Sequence, residues 1–276
     1  MNVYQKPYLP PRDQVALLQK RGMQISDTRR AEECLSRIGY YRLSAYWYPF
    51  RKSRPPTNNE PQNRPVVISD FRPGTKFSDC IDLYVFDKKL RLHTLDALER
   101  IEVALRTDIA LLLGRHHPEA HRHAPLLHGN FTKKIQQHGS TDHQKWLAKL
   151  DDLTRNSKEE FAKHFKRKYP GSFMPIWIAV ELWDYGMLSY FFAGMRISDQ
   201  DAIADKYGLS SGKTLKSWIR CLNVTRNLCA HHSRIWNKPL VITPAPCKQG
   251  EFPEFEALLP QNRSRYYGTA LIMQFL

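Results

Sequence analysis

Apolar residues recur at helical spacing along most of the chain, and glycine or proline interrupts the pattern at intervals. Residues 12–22 and 27–39 predict two short helices, the second capped by Asp27 and ended by Gly39. The strongest signal covers residues 79–113, where apolar side chains return mostly at steps of three or four without an internal glycine or proline. One helix of that length spans roughly 50 Å and would form the spine of a bundle or line a subunit interface.

The second half of the chain continues the helical pattern. A capping box from Ser157 to Glu160 is expected to open one helix, and Ser198 to cap another that runs to Tyr207. Helices are predicted over these ranges: 142–154, 157–168, 198–207, 213–232 and a stretch near 264–276.

Residues 174–194 are almost wholly apolar and predict a core helix that begins at Pro175. Glu181 and Asp184 interrupt this composition. Because a carboxylate inside such a helix loses its hydration, each must find a partner or shift its pKa.

Three consecutive segments before the long helix have a different character. Residues 40–51 set six aromatic side chains beside Arg42 and Arg51, which is typical either of a buried aromatic helix or of a platform on which bases stack. Residues 52–65 are rich in proline and asparagine and predict a surface loop or insertion. Residues 66–71, VVISDF, predict a short strand.

These patterns predict an all-α fold with a long central helix and an N-terminal helical extension. Residues 1–51 would form a helical segment packed on the body, residues 52–78 a loop or insertion, and residues 79–276 the main helical domain.

Composition indicates a polyanionic partner. The 276 residues are 42% hydrophobic, which argues against a disordered chain, and 42 Lys+Arg against 27 Asp+Glu give a formal charge of +15. RNA or DNA fits this excess first, with an anionic membrane surface as the competitor. Lys163, Lys166 and Arg167 lie on one helix and form either a solvated face or an RNA-tracking face. Since the chain has neither a run of 18 apolar residues nor a signal-peptide apolar region, we expect a soluble cytoplasmic protein without a membrane partner.

Cysteine and histidine usage does not indicate a metal or cofactor. The five cysteines are far apart without a C-x-x-C pair, so we expect reduced, mostly buried thiols. HHPEAHRHAPLLH, residues 116–128, holds five histidines, but Pro118 and Pro125 break any helix and only Glu119 offers a carboxylate. A solvated loop is the interpretation we favour there.

The segment VTRNLCAHHSRIWN, residues 224–237, offers catalytic chemistry near the end of a predicted helix. Asn227 and His231 are four residues apart and share a face, and the long Arg226 side chain can curl toward them. Metal-free RNA cleavage needs proton transfer, which suits histidine, and a permanent cation at the phosphorane, which suits arginine. An asparagine can orient either group. This spacing also arises by chance, so the interpretation depends on the helix end, the basic chain and the lack of another credible catalytic set.

Four blocks of the chain, in order, resemble a known family. RNLCAH at 226–231 matches the R-x4-H signature of the HEPN nucleases, in the form with asparagine after arginine. The wider chain resembles the Abi-like abortive-infection family of bacterial phage defence, which belongs to the HEPN superfamily. The blocks are GYYRLSAYWYPFR at 39–51, FDKKLRLHTLDALERIEVALRTDIA at 86–110, PIWIAVELWDYGMLSYFF at 175–192 and LNVTRNLCAHHSRIWN at 222–237.

The resemblance implies an all-α HEPN bundle and a metal-independent endoribonuclease that acts as a toxin. Arg226, Asn227 and His231 would form its catalytic site, cut RNA by attack of the 2′-hydroxyl and leave 2′,3′-cyclic phosphate and 5′-hydroxyl ends. The resemblance also implies a homodimer with two motifs facing one cleft. A transfer RNA is the substrate expected at superfamily level, and an antitoxin RNA or protein is a further expected partner.

Several assignments stay open at this stage. Glu102 and Arg106 are one turn apart and either support the motif or form an ordinary surface pair. His232 either assists the reaction or caps the helix end. A non-catalytic RNA-binding protein of the same fold is the alternative to a nuclease, and a structural or DNA-binding protein ranks below both.

Overall fold

A computed structural model describes residues 5, 7–58, 60–61, 64–137 and 139–276, which divide into two compact units, 1–90 and 91–276. Part of the predicted 52–65 loop, residues 59, 62 and 63, lies outside the described residues, as do residues 1–4 of the N-terminal segment. The elements of the first unit are α1 (Pro11–Lys20), α2 (Thr28–Ile38), α3 (Tyr40–Trp47), β1 (Arg51–Arg54), β2 (Val66–Phe71) and the beginning of α4 (Phe77–Gly114).

The N-terminal helices form where the pattern places them. Asp27 accepts the Arg30 N–H and caps α2, and Gly39 ends that helix with a φ of +91°, which glycine adopts without steric cost. The aromatic helix α3 then buries Leu43 and Trp47 in the core of the first unit. The helices predicted at 12–22 and 27–39 are confirmed as α1 and α2.

Most of the 40–51 segment has a packing role. The buried Tyr46 hydroxyl donates to Asp87 at 2.7 Å, and the Tyr40 and Trp47 rings meet edge to face with their centres 5.0 Å apart. Tyr41 and Tyr48 remain exposed. Phe50 packs against the core of the first unit, so the segment contributes four aromatic rings to packing and leaves two on the surface.

The predicted strand at 66–71 is confirmed as β2, which pairs with β1 in an antiparallel sheet. Arg54 lies opposite Val66, and Ser53 lies opposite Val67. Just beyond β1, Glu60 accepts both terminal nitrogens of Arg54 at 2.8 Å. Two strands thus lie within or beside the range predicted as a loop.

The long helix is confirmed as α4, a continuous 38-residue helix. Its residues from Arg91 onward belong to the second unit, where Leu98, Leu105 and Ile109 enter the core. The other helices of this unit are α5 (Gly129–Thr132), α6 (Asp142–Asn156), α7 (Glu160–Lys168), α8 (Ile176–Ala179), α9 (Tyr185–Gly194), α10 (Ile197–Lys206), α11 (Gly212–Ala230), α12 (Pro253–Glu256), α13 (Pro260–Arg263) and α14 (Tyr266–Phe275).

The predicted all-α class is confirmed, since the structure is 63% helical. The core of the second unit is rich in aromatic rings: Trp183 lies 4.8 Å from Trp146 and 4.7 Å from Phe191, measured between ring centres. Among the described residues, no helix is both long and apolar enough to cross a membrane.

The prediction of one helix over 174–194 is wrong. The segment forms α8, a 3-10 turn at Val180–Leu182, an extended Trp183 and then α9. Asp184 caps α9 by accepting the Met187 N–H at 2.7 Å, so this carboxylate begins a new helix. Glu181 is exposed. Hydrophobicity could not reveal the break, because apolar residues continue from α8 through the break into α9.

Two predicted caps are also wrong. The Ser157 hydroxyl accepts the Glu159 N–H, and α7 begins only at Glu160. Ser198 lies inside the first turn of α10, whose cap residue is Arg196. Serine near a helix start also forms tight turns, so the residue alone does not fix the first helical position.

The histidine-rich segment 116–128 contains short 3-10 turns, at Ala120–Arg122 and Ala124–Leu126, and is more ordered than the predicted solvated loop. His121 is buried, and burial together with the charge of Arg122 lowers its pKa to about 3. Its carbonyl oxygen bonds the His143 ring at 2.8 Å. Within the described part of the chain, no group of three or more His, Cys, Asp or Glu could hold a metal ion.

Candidate active site

Helix α11 carries the first part of the R-x4-H segment on a face separate from its packing face. Leu215, Trp218 and Leu222 are buried in the core, which fixes the helix within the second unit. Arg226 is half-buried and Asn227 is exposed. Their side chains are neighbours, with Arg226 Nη1 3.5 Å from Asn227 Oδ1.

The helix ends at the two histidines. His231 is the C-cap residue, with an exposed side chain and a backbone N–H that donates to the Asn227 carbonyl at 2.9 Å. His232 follows with a φ of +56°. The His232 N–H donates to Cys229 O and the Ser233 N–H to Leu228 O, which is the hydrogen-bond pattern of a Schellman motif.

His232 therefore occupies the position at which glycine is most common. Replacing His232 with glycine should raise the free energy of unfolding by about 1 kcal/mol, because glycine adopts positive φ without the clash of a Cβ atom. Valine at the same position should lower it. Chemical denaturation of the three proteins checks the order, and a loss of stability with glycine would contradict it.

Glu102 and Arg106 form a partly buried ion pair on α4, not a surface pair. Their side-chain atoms are 2.5 Å apart, and the two side chains are only 15% and 17% exposed. Arg106 also donates to the carbonyl oxygen of Trp183, at the break between α8 and α9. The pair thus ties α4 to this break.

The charge of Arg226 on α11 acts on Glu102 and on Asp184, which joins these residues in one charged cluster. Burial raises the pKa of Glu102, and the nearby charges of Arg106 and Arg226 offset only part of that rise. Burial also acts to raise the pKa of Asp184. There, bonds from Lys149 and Met187 and the charge of Arg226 prevail, so that pKa lies below its usual value. Arg226 therefore lies close enough to Glu102 and Asp184 for its charge to act on both carboxylates.

The cluster includes polar residues that the sequence analysis did not identify. Lys149 pairs with Asp184 at 2.5 Å. The Tyr185 hydroxyl and Asn223 Oδ1 are buried without a hydrogen-bond partner among the described residues. A Cβ on Gly186 would lie 3.1 Å from Asp184 Oδ1. Asn223 could have been found from its position three residues before Arg226. The others are distant in sequence and carry no local signal.

The basic residues assigned to RNA binding have different surroundings. Lys163 is exposed and pairs with Glu160 at 3.0 Å, whereas Arg167 is exposed on α7. Lys166 donates to the Thr154 and Arg155 carbonyl oxygens and so caps the C-terminal end of α6.

The other two basic candidates lie in the first unit. Arg42 is exposed on α3. Arg51 is half-buried in β1, with its guanidinium 5.8 Å from the centre of the Tyr48 ring.

Comparison with known proteins places the chain in a family. Searches of curated proteins and of solved structures gave no significant match. The family model described as "Abi-like protein" matches residues 33–237, which is well over half of the chain and contains the Glu102–Arg106 pair and the R-x4-H segment. The chain therefore belongs to the Abi-like protein family.

Proposed function

We propose that the chain is a metal-independent endoribonuclease that arrests growth during phage infection. Its family associates it with abortive infection and phage defence. One observation carries the finer proposal: the R-x4-H segment lies at a helix end, where His231 is exposed and Arg226 lies near the Glu102 and Asp184 carboxylates.

The three motif residues can divide the reaction between them. His231 takes the proton of the 2′-hydroxyl, and the 2′-oxygen then attacks phosphorus. Arg226 supplies a cation and stabilises the phosphorane oxygens with its forked N–H groups. The bond to the 5′-oxygen breaks, that oxygen takes up a proton from water, and His231 returns the proton it took to the solvent. Asn227 orients Arg226 or the RNA.

The buried pair supports this role by fixing Arg226 indirectly. Arg106 neutralises part of Glu102, while the remaining negative character of Glu102 and Asp184 attracts the Arg226 guanidinium. A guanidinium that is already placed does not have to be reorganised when charge develops on phosphate. Glu102 and Arg106 are thus positioning residues in this proposal.

The proposal includes a homodimer in which two copies of the motif face one cleft, as the resemblance to HEPN nucleases implies. A transfer RNA is the first substrate to test, and an antitoxin RNA or protein is the partner that would hold the toxin silent. Size-exclusion chromatography with light scattering tests the dimer independently of activity.

Product chemistry tests the proposed reaction. Purified protein incubated with bacterial RNA in excess EDTA should produce fragments with 5′-hydroxyl and 2′,3′-cyclic phosphate ends. A requirement for added divalent metal, or fragments that carry 5′-phosphates, would contradict the mechanism. If the purified protein binds RNA without cleaving it, and no cleavage occurs in infected cells either, a non-catalytic RNA-binding protein of the same fold is favoured.

A further inference from the structure

A groove runs between α7 and α8 in the second unit, apart from the R-x4-H segment. Its volume is about 810 Å³. Its lining combines aromatic rings and charged side chains from α7 with the side chains of α8 and Glu181: Phe161, Lys163, Arg167, Lys168, Tyr169 and Trp177 are the residues that the inference uses.

Three aromatic side chains in this lining are partly exposed to solvent. Phe161 is 38% exposed, Tyr169 is 45% exposed and Trp177 is 52% exposed. One edge of the Trp177 ring packs near Gly114. A Cβ atom on Gly114 would lie 3.4 Å from this ring. The ring is thus held from one side. Large apolar surfaces left in water at one groove favour a ligand with flat apolar faces.

The charges in the groove are mixed, with cations in excess. The carboxylates are Glu160 and Glu181, and Lys163 already pairs with Glu160 at 3.0 Å. Arg167 and Lys168 remain as cations at the same surface, and the Lys168 amine lies 5.3 Å from the centre of the Tyr169 ring. This arrangement sets cations beside flat rings.

We infer that the groove binds single-stranded RNA. Bases have the flat faces that stack on Trp177, Phe161 and Tyr169, and phosphates have the charge that Arg167 and Lys168 neutralise. A double helix hides its base faces and would leave the aromatic rings unused. Single-stranded RNA is the ligand class that uses both features.

The chain itself connects this groove to the candidate active site. Trp177 precedes Trp183 by six residues, and the Trp183 carbonyl accepts the bond from Arg106. RNA held in the groove would therefore contact the segment that leads to the bond between Arg106 and the Trp183 carbonyl. A role of this contact in cleavage rests on the proposed nuclease function, whereas binding in the groove does not.

Affinity for RNA that cannot be cleaved tests the groove separately from catalysis. The probe is a fluorescent 2′-O-methyl oligoribonucleotide of about 12 nucleotides, within the usual site sizes for single strands. Trp177→Ala should weaken binding about tenfold, and Trp177→Phe should retain most of it because a stacking face remains. Tyr8→Ala is the matched control, since Tyr8 is 85% exposed and lies outside the groove lining.

The charge contribution has its own measurement. In a plot of log affinity against log salt concentration, Arg167→Ala and Lys168→Ala should each reduce the slope by about 0.7. Lys145→Ala, an exposed lysine on α6, should leave the slope unchanged. Circular dichroism of each variant checks that the fold is retained.

The outcomes separate the two proposals. If the groove variants lose affinity, the inference stands even where the wild type cleaves nothing. It is overturned if the wild type does not bind the probe, if the groove and control variants bind alike, or if duplex RNA binds as tightly as the single strand. Cleavage with unchanged affinity in the groove variants would leave the nuclease proposal intact and place the RNA elsewhere.

Discussion

Replacing His231 with alanine should lower the rate of RNA cleavage by about 10³-fold, because the proton-transfer group is removed. The fold should be retained. The C-cap bond at this position comes from the backbone N–H, which donates to Asn227, and the side chain is exposed. An effect on rate without an effect on stability would distinguish a catalytic residue from a structural one. Single-turnover cleavage of a purified RNA and thermal denaturation of the same samples provide the two readouts.

His93→Ala is the matched control, since His93 is an exposed histidine on α4. It should cleave at the rate of the wild type. A His231→Ala protein that keeps most of its activity would contradict the assignment and leave the neighbouring His232 as the residue to test next. A loss of activity that matches a loss of folded protein would contradict it as well.

Removing Arg106 should have the largest effect on stability. Arg106→Ala leaves the carboxylate of Glu102, which is only 15% exposed, without its partner and frees the Trp183 carbonyl. An uncompensated charge of this kind costs about 3 kcal/mol of unfolding free energy near neutral pH. Urea denaturation at pH 7 measures the difference from the wild type.

The same substitution should show a characteristic pH dependence. Burial raises the folded-state pKa of Glu102, so its contribution to stability falls as pH rises above its unfolded value of about 4.3. Without Arg106 the pKa of Glu102 rises further. The loss of unfolding free energy caused by Arg106→Ala therefore grows between pH 4 and pH 7. The difference between the two proteins should be smallest at the acid end of this range, because protonation removes the buried charge of Glu102.

An arginine on the same helix provides the control. Arg100 pairs with Asp96 at the same i,i+4 spacing, but these side chains are 79% and 64% exposed. Arg100→Ala should cost no more than about 0.5 kcal/mol at either pH. Equal effects of the two substitutions would contradict the account of Glu102 and Arg106 as a buried pair.

The features that could be predicted from the sequence depend on interactions between residues that lie close together in the chain. The long helix α4 follows from unbroken spacing of apolar residues, and the ends of α2 follow from Asp27 and Gly39, whose side-chain bond and backbone conformation act within a few residues. The position of Arg226 and His231 at the end of α11 follows in the same way.

The features that could not be predicted depend on contacts between distant segments. The carboxylate of Asp184 is unusual in an apolar segment, but its roles as a helix cap and as the partner of Lys149 require α6 and α9 to pack together. Likewise, periodicity could not show that Arg106 reaches the Trp183 carbonyl, 77 residues further along the chain. These long-range contacts complete the charge environment of Arg226.

Sequencing of RNA 5′-hydroxyl ends in bacteria tests the central claim most directly. Wild type and His231→Ala should be expressed to equal soluble levels, with and without phage infection. The account predicts growth arrest and new 5′-hydroxyl ends at defined RNA positions with the wild type only. The same new ends with both proteins, or no new ends with either protein even during infection, would contradict the claim that this chain is a nuclease acting through His231.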